Sequence, residues 1–389
     1  PHRRRRIAAA AFFQSSRILM TEPSSNQTAD RLARLREAMR AEAADLVAIA
    51  PGSHMDWLVG FHPHPDERPC LLLVGAKKEA FLMPVLNAEG TREHTDIAFH
   101  TWSDDRGPKA ALDDALAAIG AEGAKTVVLD ETMRADFALL VLDALPGATH
   151  AFTDRTLGRL RMVKDEGEIA KLKMNAEIAD RAMQKAFAAI RPGMAEKDLA
   201  QLVKDHFAAE GAVPSFWIVG GGQNGAFPHH QSGDRPLAEG DAIVIDIGAR
   251  KAGFPSDITR MAVVGRPPEG YGQIHTIVEK AVQAAMKAAR PGAKAKEVDA
   301  AARTVIADAG YGEYFVHRTG HGMGIDGHEP PYITATADTV LEEGMVFSIE
   351  PGIYLPGRFG IRLEEIVVLR ADGPEILSGL SRDLHVAKA

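Results

Sequence analysis

The chain has one cysteine, Cys70, among its 389 residues, so no intrachain disulfide can form and nothing suggests a chain built for an oxidising compartment. Aromatics are few, at 6%, and no basic stripe is interleaved with them. A nucleic-acid interface is therefore not expected. Long apolar runs are missing too. The longest candidates, Leu71 to Ala76 and Phe137 to Leu142, fall far short of the ~18 to 20 residues that cross a bilayer, so no membrane span is expected. The expected compartment is the cytoplasm. Positive charge is scarce outside the first residues: the formal net charge is −8, and because Arg3, Arg4, Arg5, Arg6 and Arg17 all precede Met20, the remainder carries −13. Such a surface repels phosphate backbones.

What is present is an ordinary globular composition, 46% apolar and 25% charged, in a chain long enough for two or three domains at roughly 150 residues each. Residues 1–19 set four arginines ahead of Ile7 to Phe13 and superficially resemble an export signal. The apolar stretch is short and the small-residue cleavage pattern poor, so the segment is read as an extension or tag-like piece ahead of Met20-Thr21-Glu22-Pro23. From Asp30 to Arg40 the pattern is an amphipathic helix. After it, short apolar runs (Leu46 to Ala50, Leu71 to Val74, Ala80 to Met83, Thr126 to Leu129) alternate with helical stretches such as Ala110 to Ile119. Alternation of this kind predicts an α/β domain over residues 20–155. His62 and His64 lie beside prolines and read as surface-loop residues, although a substrate contact is open to them.

A second domain, residues 156–389, contains an internal repeat. Its long opening helix is expected to run from Val163 to Ile190. Ala179 to Ala212 aligns without gaps onto Val278 to Tyr311 at an offset of 99, placing Arg191-Pro192-Gly193 on Arg290-Pro291-Gly292. Downstream the offset becomes 104, and Leu237-Ala238-Glu239-Gly240 matches Leu341-Glu342-Glu343-Gly344, which places Asp246 on Glu350. Each copy then returns as a second strand behind another carboxylate, Asp257 in the first and Glu364 in the second. Duplicated units of this kind usually pack about a pseudo-two-fold axis, where all four acids would converge.

Strand alternation puts Asp246 on the face of Val244 and Gly248, Glu350 on that of Ser348, and Glu364 on that of Arg362. Isoleucines and Phe347 flank these positions, so the acids are expected to point inward. Four buried carboxylates repel one another and each is costly to ionise unpaired. One arginine, Arg362, cannot balance them, but two divalent cations can, and a cation pair also suits hydrolysis, because it acidifies a shared water and polarises a carbonyl. A nitrogen donor is available in Gly320-His321-Gly322-Met323-Gly324, whose glycines permit close backbone approach and a tight turn. The candidate metal set is Asp246, Asp257, His321, Glu350 and Glu364. Oxygen donors predominate, so Mn²⁺ is the expected ion, with Co²⁺, Fe²⁺ or Zn²⁺ as alternatives.

These segments, together with Phe227-Pro228-His229, Ser256-Asp257-Ile258-Thr259-Arg260, His328-Glu329, Ile349-Glu350-Pro351-Gly352 and Gly360-Ile361-Arg362-Leu363-Glu364-Glu365, resemble the pita-bread metallopeptidases, the family of methionine aminopeptidase, Xaa-Pro aminopeptidase and prolidase. The resemblance covers about residues 160 to 370. It implies an α+β pita-bread catalytic domain behind a creatinase-type α/β domain. It further implies that Asp246 is a terminal ligand of one ion, that Asp257 and Glu364 bridge, and that His321 and Glu350 hold the other. Glu350 would also shuttle a proton to the leaving nitrogen, His229 and His328 would donate to the substrate and the oxyanion, and Arg362 would steady the acids. Methionine aminopeptidases usually lack the large first domain, and creatinase-like members lack the full metal set. The expected activity is therefore an Xaa-Pro dipeptidase or aminopeptidase acting as a homodimer on small peptides with proline second. Open alternatives are a same-fold enzyme acting on a small non-peptide such as ectoine, and a binding module without activity. By alternation His230 is expected to be scaffold or rim, and Glu365 a solvated or ion-paired acid whose loss is mild. His317 either orients the histidine motif or fills the core.

Overall fold

The computed structural model describes residues 25–389, so the expected extension 1–19 lies outside the described residues. Short runs rich in Leu, Val and Phe form six strands: β1 (Leu46–Ile49), β2 (Leu71–Gly75), β3 (Glu79–Pro84), β4 (Ala98–Trp102), β5 (Thr126–Leu129) and β6 (Thr149–Phe152). They make one mixed sheet in the order β4-β3-β2-β1-β5-β6. Alternation along β1 sends Leu46 and Ala48 into a core with Leu112 and Leu116 of the helix Lys109–Ile119, and Val47 and Ile49 into one with Leu32 and Leu35 of the helix Ser25–Ala41. Helices on both faces give the expected α/β layer arrangement.

After β6 a short helix, Leu157–Met162, leads to the long helix Glu166–Ala189. That helix starts three residues later than the apolar pattern suggests, because Asp165 and Glu168 close a reciprocal capping box at its amino end. The duplication is then visible in the backbone. The helices Glu166–Ala189 and Glu196–Ala209 recur as Tyr271–Ala288 and Ala295–Asp308. Between the helices of each pair, Gly193 (φ 80°) and Gly292 (φ 89°) adopt the left-handed conformation that glycine takes without strain. Each donates its N–H to the equivalent leucine carbonyl, Leu237 or Leu341, so a single pair of bonds realises both offsets read from the sequence.

Each helix pair covers one sheet. The first contains β7 (Val213–Gly221), β8 (Ala242–Lys251), the short β9 (Phe254–Pro255) and β10 (Ile258–Val264). The second contains β11 (Gly320–Gly322), β12 (Glu329–Ile333), β13 (Val346–Ile349) and, beyond the two-stranded hairpin β14 (Gly352–Leu355) and β15 (Phe359–Arg362), β16 (Glu365–Arg370) and β17 (Gly373–Ile376). The strand orders are β18-β10-β8-β7, closed by β18 (His385–Ala387), and β12-β11-β13-β16-β17. Ile243, Ile245 and Ile247 pack against Ala182, Leu199, Val203 and Phe207 of the first helix pair. Phe347 and Ile349 pack against Val278, Val282 and Val298 of the second. Each fully buried aliphatic side chain contributes about 1.5 to 3 kcal/mol. The alternate residues are forced onto the opposite faces, and these carry Asp246 and the Ser348–Glu350 pair.

Two expectations need correction. Arg362 and Glu364 do not share a strand face: Arg362 ends β15 and Glu364 lies in the break before β16, because the second copy inserts the β14–β15 hairpin where the first has only the short β9. Glu365 is ion-paired, one of the two alternatives read from the sequence, and what changes is the expected mildness of its loss. It is 3% exposed and accepts from Arg260 Nη2 (3.0 Å) and Arg382 Nη1 (2.8 Å). Arg260 is itself wholly buried and also donates to the carbonyls of Ser381 and Leu380. Removing one partner of such a pair strands the other charge, so Glu365→Ala is expected to cost about 3 to 5 kcal/mol rather than be mild. Urea denaturation measures this, and a loss under 1 kcal/mol would contradict the pairing.

Candidate metal centre

The inner faces of the two sheets enclose a cavity of about 600 Å³ lined by Phe216, Ile218, Pro228, His229, Asp246, Asp257, His317, Arg318, His321, His328, Glu350, Arg362 and Glu364. Every metal and catalytic residue expected from the sequence lies on this wall. Asp246 is carried in the middle of β8, Asp257 immediately before β10, His321 in β11, Glu350 just after β13 and Glu364 just before β16. The ligand atoms of Asp246, Asp257 and Glu364 lie within 4.8 Å of one another, and so do those of His321, Glu350 and Glu364. Glu364 belongs to both groups.

The local sequence permits this crowding. A Cβ on Gly320 would fall 1.9 Å from the Ser348 carbonyl oxygen, and one on Gly324 would meet Glu329 Oε1 at 2.2 Å. The glycines around His321 thus serve close approach, as expected, and none of them adopts a positive φ, although the chain reverses just beyond them between the antiparallel β11 and β12. His321 Nδ1 lies 3.1 Å from the Gly322 carbonyl, which places the proton on Nδ1 and leaves the Nε2 lone pair facing Glu350 Oε1 at 3.3 Å and Asp257 Oδ2 at 3.7 Å. Burial, aided by the adjacent His328, pulls the imidazole pKa down to about 3, so it is neutral at pH 7. A lone pair aimed at carboxylate oxygens is repulsive unless a cation stands between them. Asp246 Oδ1 is likewise buried with no hydrogen-bond partner. An orphaned oxygen and an unprotonated nitrogen converging with three more carboxylates are the donor set a divalent ion requires.

Electrostatics say the same. Burial, then the charges of Glu364, Asp246 and Glu350, hold the Asp257 carboxyl well above the usual range. Burial, then Glu350 and Asp246, do so for Glu364. Burial pushes Glu350 up to about 7, although Arg362 opposes it. Arg362 donates through Nη2 to Asp246 Oδ2, through Nε to Thr259 Oγ1 (3.0 Å) and through Nη1 to the Tyr354 hydroxyl (2.8 Å). Thr259 Oγ1 in turn donates to Glu364 Oε2 at 2.8 Å, and Ser348 Oγ to Glu350 Oε1 at 3.0 Å. The sequence reading missed the roles of Thr259, Ser348 and Tyr354. Thr259 sits inside a quoted motif and Ser348 just ahead of one, each two residues from an expected ligand, whereas Tyr354 carries no local signal.

His229 and His328 are exposed at the mouth, and the His328 ring lies 3.9 Å from that of His321. His317 bonds through Nε2 to the Tyr354 hydroxyl (2.8 Å) and through Nδ1 to the Arg318 carbonyl (2.7 Å), so it is a wall residue tied into the arginine network. His230 is scaffold, bonded to the buried Glu196 at 2.8 Å. In this chain His62 and His64 are exposed, with His62 bonded to Asp56. Behind His328, Glu329 is held by Arg161 (2.6 Å) and Lys164 (2.8 Å), and Arg161 reaches His54 of the first domain at 3.0 Å.

Two layers of duplicated helix pairs around a carboxylate-rich cavity, behind a separate mixed-sheet domain, define a metallopeptidase of the pita-bread class. Residues 170–371 match the model of Metallopeptidase family M24, and residues 31–163 that of the Creatinase/Prolidase N-terminal domain. The chain belongs to this metallopeptidase family. It is 40% identical over 367 residues to the probable dipeptidase PepE of Mycobacterium tuberculosis, spanning 92% of this chain and 96% of that one. It is 32% identical to an Xaa-Pro dipeptidase of Pyrococcus horikoshii, over 91% of this chain and 98% of that one. The crystal structure of dipeptidase PepE from Mycobacterium ulcerans superposes with a TM-score of 0.90 at 36% identity, covering 95% of this chain and 100% of that one. Among the described residues no helix is long and apolar enough to cross a membrane.

The raised carboxyls generate a pH dependence. A group whose pKa is higher folded than unfolded favours the fold below its unfolded pKa, and that contribution is lost as pH rises through the folded value. For Glu350 the window runs from about 4.5 to about 7. His321, depressed from 6.5 to about 3, acts in the opposite sense below pH 6.5, so the metal-free protein is expected to lose stability as pH rises above about 6.5, where the raised carboxyls still titrate and this histidine no longer does, and divalent ions to restore it most strongly there. Differential scanning fluorimetry with and without chelator checks this. A melting temperature that rises with pH above 6.5 in the chelated protein would contradict the acid cluster.

Proposed function

We propose that the protein hydrolyses the peptide bond preceding proline in dipeptides or at the amino end of short peptides. The single observation that carries the reading is the gathering of Asp246, Asp257, His321, Glu350 and Glu364 into one cavity, in a chain similar along nearly its whole length to an Xaa-Pro dipeptidase. Two divalent ions would be held by these residues, with Asp246 on one side, His321 and Glu350 on the other, and Asp257 and Glu364 between them. Mn²⁺ is the ion best suited to this oxygen-rich set, with Co²⁺, Fe²⁺ and Zn²⁺ as alternatives. When bound, such ions lower the pKa of an attacking water and polarise the scissile carbonyl.

The side chains supply the rest. Glu350, carried just after β13 on the cavity wall, is placed to take up a proton and pass it to the leaving nitrogen. His229 and His328, on the open rim, are positioned to donate hydrogen bonds to the substrate and to the developing oxyanion. Arg362 fixes the Asp246 carboxylate and, through Thr259, the Glu364 carboxylate, so both acids stay oriented into the cavity. We also propose that residues 20–155 form the creatinase-type domain and 156–389 the catalytic one, and that the chain works as a cytoplasmic homodimer. The family resemblance supports both.

Metal analysis of the purified protein is expected to give two divalent ions per chain, and exhaustive chelation to abolish turnover. Asp257→Ala and Glu364→Ala are each expected to lower metal affinity by at least about 10- to 100-fold and to remove activity. His229→Ala is expected to keep its metal while losing about 10²- to 10³-fold in kcat. A His229→Ala protein stripped of metal would reverse that assignment. Assays of the reconstituted protein against Gly-Pro, Ala-Pro, a proline-containing tripeptide and ectoine test the substrate class. Turnover of ectoine alone would overturn the peptidase reading.

A further inference from the structure

Glu196, the first residue of the helix Glu196–Ala209, is wholly buried and belongs to the helix layer, outside the cavity wall. Its carboxylate reaches out of that helix to the segment between β7 and β8. One oxygen accepts from the Gly221 N–H (2.9 Å) and Asn224 Nδ2 (2.9 Å), the other from His230 Nε2 (2.8 Å) and the Gly233 N–H (3.4 Å). Four donors match the four acceptor positions of an ionised carboxylate. The segment answers with its own carbonyls: those of Arg235 and Gly233 accept the N–H groups of Glu196 (3.1 Å) and Lys197 (3.0 Å). Between these anchors the backbone closes a circuit. The Asn224 carbonyl accepts the Phe227 N–H and the Phe227 carbonyl accepts the His230 N–H, each at 3.1 Å, so Glu196, Asn224, Phe227 and His230 are joined in a ring. Pro228 and His229 are the two residues inside the turn that the last bond closes. The Pro228 carbonyl, half of the peptide bond to His229, also accepts from Arg362 Nη1 (3.4 Å).

We propose that Glu196 is the positioning residue for His229, the rim histidine assigned above to the substrate and the oxyanion, and the inference rests on that assignment. Among the described residues the His229 ring makes no hydrogen bond, so its place is set by its backbone. A donor for a developing oxyanion stabilises it only if it is already in position. The connection from Gly221 to Ala242 is long and open to solvent at its tip, and such a chain left free samples many conformations. Glu196 removes that freedom by holding both ends of the turn and both neighbours of the Pro228–His229 pair through a single charge. The charge is essential to the device, because all four partners donate. A glutamine of the same volume would turn its own N–H groups toward two of them and open the ring at Asn224 or at His230. Nor does the helix pair need this acid in order to form. The offset of 99 puts Ala295 in the equivalent place, again as the first residue of its helix, so the twin pair is built without it.

The test is a double-mutant cycle in the metal-loaded protein with Ala-Pro as substrate, combining Glu196→Gln with His229→Ala. Alone, Glu196→Gln is expected to keep its divalent ions and to lower kcat by about 10- to 100-fold, with KM moved far less. In the His229→Ala background the same substitution is expected to change kcat by about twofold or less, because the group it misplaces is gone. His230→Leu, which removes one donor of the four, is expected to repeat the pattern at smaller amplitude. Equal fold losses in the two backgrounds, or metal lost from Glu196→Gln, would overturn the proposal. Hydrogen exchange of the same proteins reads the ring without turnover. The Phe227 and His230 amides are expected to exchange about tenfold faster or more in Glu196→Gln, and unchanged protection there overturns the proposal as well. If His229→Ala keeps its full kcat, or the wild type does not cleave Ala-Pro, the assignment of His229 or the Xaa-Pro reading fails by itself, and the exchange rates still decide whether Glu196 holds the turn.

Discussion

Mutual repulsion among four inward-facing carboxylates is the constraint around which the second domain is built. Asp246 within a strand and Asp257, Glu350 and Glu364 at strand ends are tied to strands whose other faces are committed to apolar cores, so they cannot turn away from one another without exposing isoleucine and phenylalanine. The fold therefore holds a strained electrostatic arrangement in place by burying hydrocarbon behind it. Arg362, Thr259 and Ser348 relieve part of the strain by hydrogen bonding. The remainder calls for cations, and the neutral His321 nitrogen and the unpartnered Asp246 oxygen are the marks of that demand.

The sequence made this centre legible because the repeat doubled each signal. A single strand aspartate says little, but Asp246 and Glu350 at equivalent places, each followed by a second acid at the head of a return strand, can hardly be chance. Period-two alternation then told which face each acid occupies, and β8 and β13 obey it. What alternation could not reveal was the second layer of packing. Alternation places Glu365 on the face away from the cavity as a solvated or ion-paired acid, but it cannot name the partners, Arg260 and Arg382, that make it the second. The bonds from Thr259 and Tyr354 to Arg362 join segments about a hundred and eight residues away respectively, and no local pattern marks such contacts. Nor did the doubled signal show the β14–β15 hairpin, which has no counterpart of its length in the first copy.

The first domain reaches the site through charge as well as through apolar packing, since Met55 and Leu58 share a core with Met323 and Ile325. Glu329, adjacent to His328, lies between Arg161 and Lys164 on the segment that joins the domains, and Arg161 continues to His54 and Asp326. Ser53 of the first domain also bonds Asp326. The loop that carries His328 is thus anchored from the far domain, so the rim histidine and the mixed sheet behave as parts of one framework. A buried network of this sort is costly to leave half-satisfied, which ties the geometry of the cavity mouth to correct docking of the two domains.

The equivalence of Gly193 and Gly292, each bonded to its leucine at the start of its own sheet, has a historical corollary. A protein made of just one such unit would own only half a nest of acids. It could have completed the nest only by meeting its twin face to face about a symmetry axis, and fusion of the two genes would then have freed each half to diverge. The inserted hairpin and the arginine it delivers belong to one descendant alone, so the ancestral twins would have shared a more symmetric and less finely tuned chamber than the one seen today.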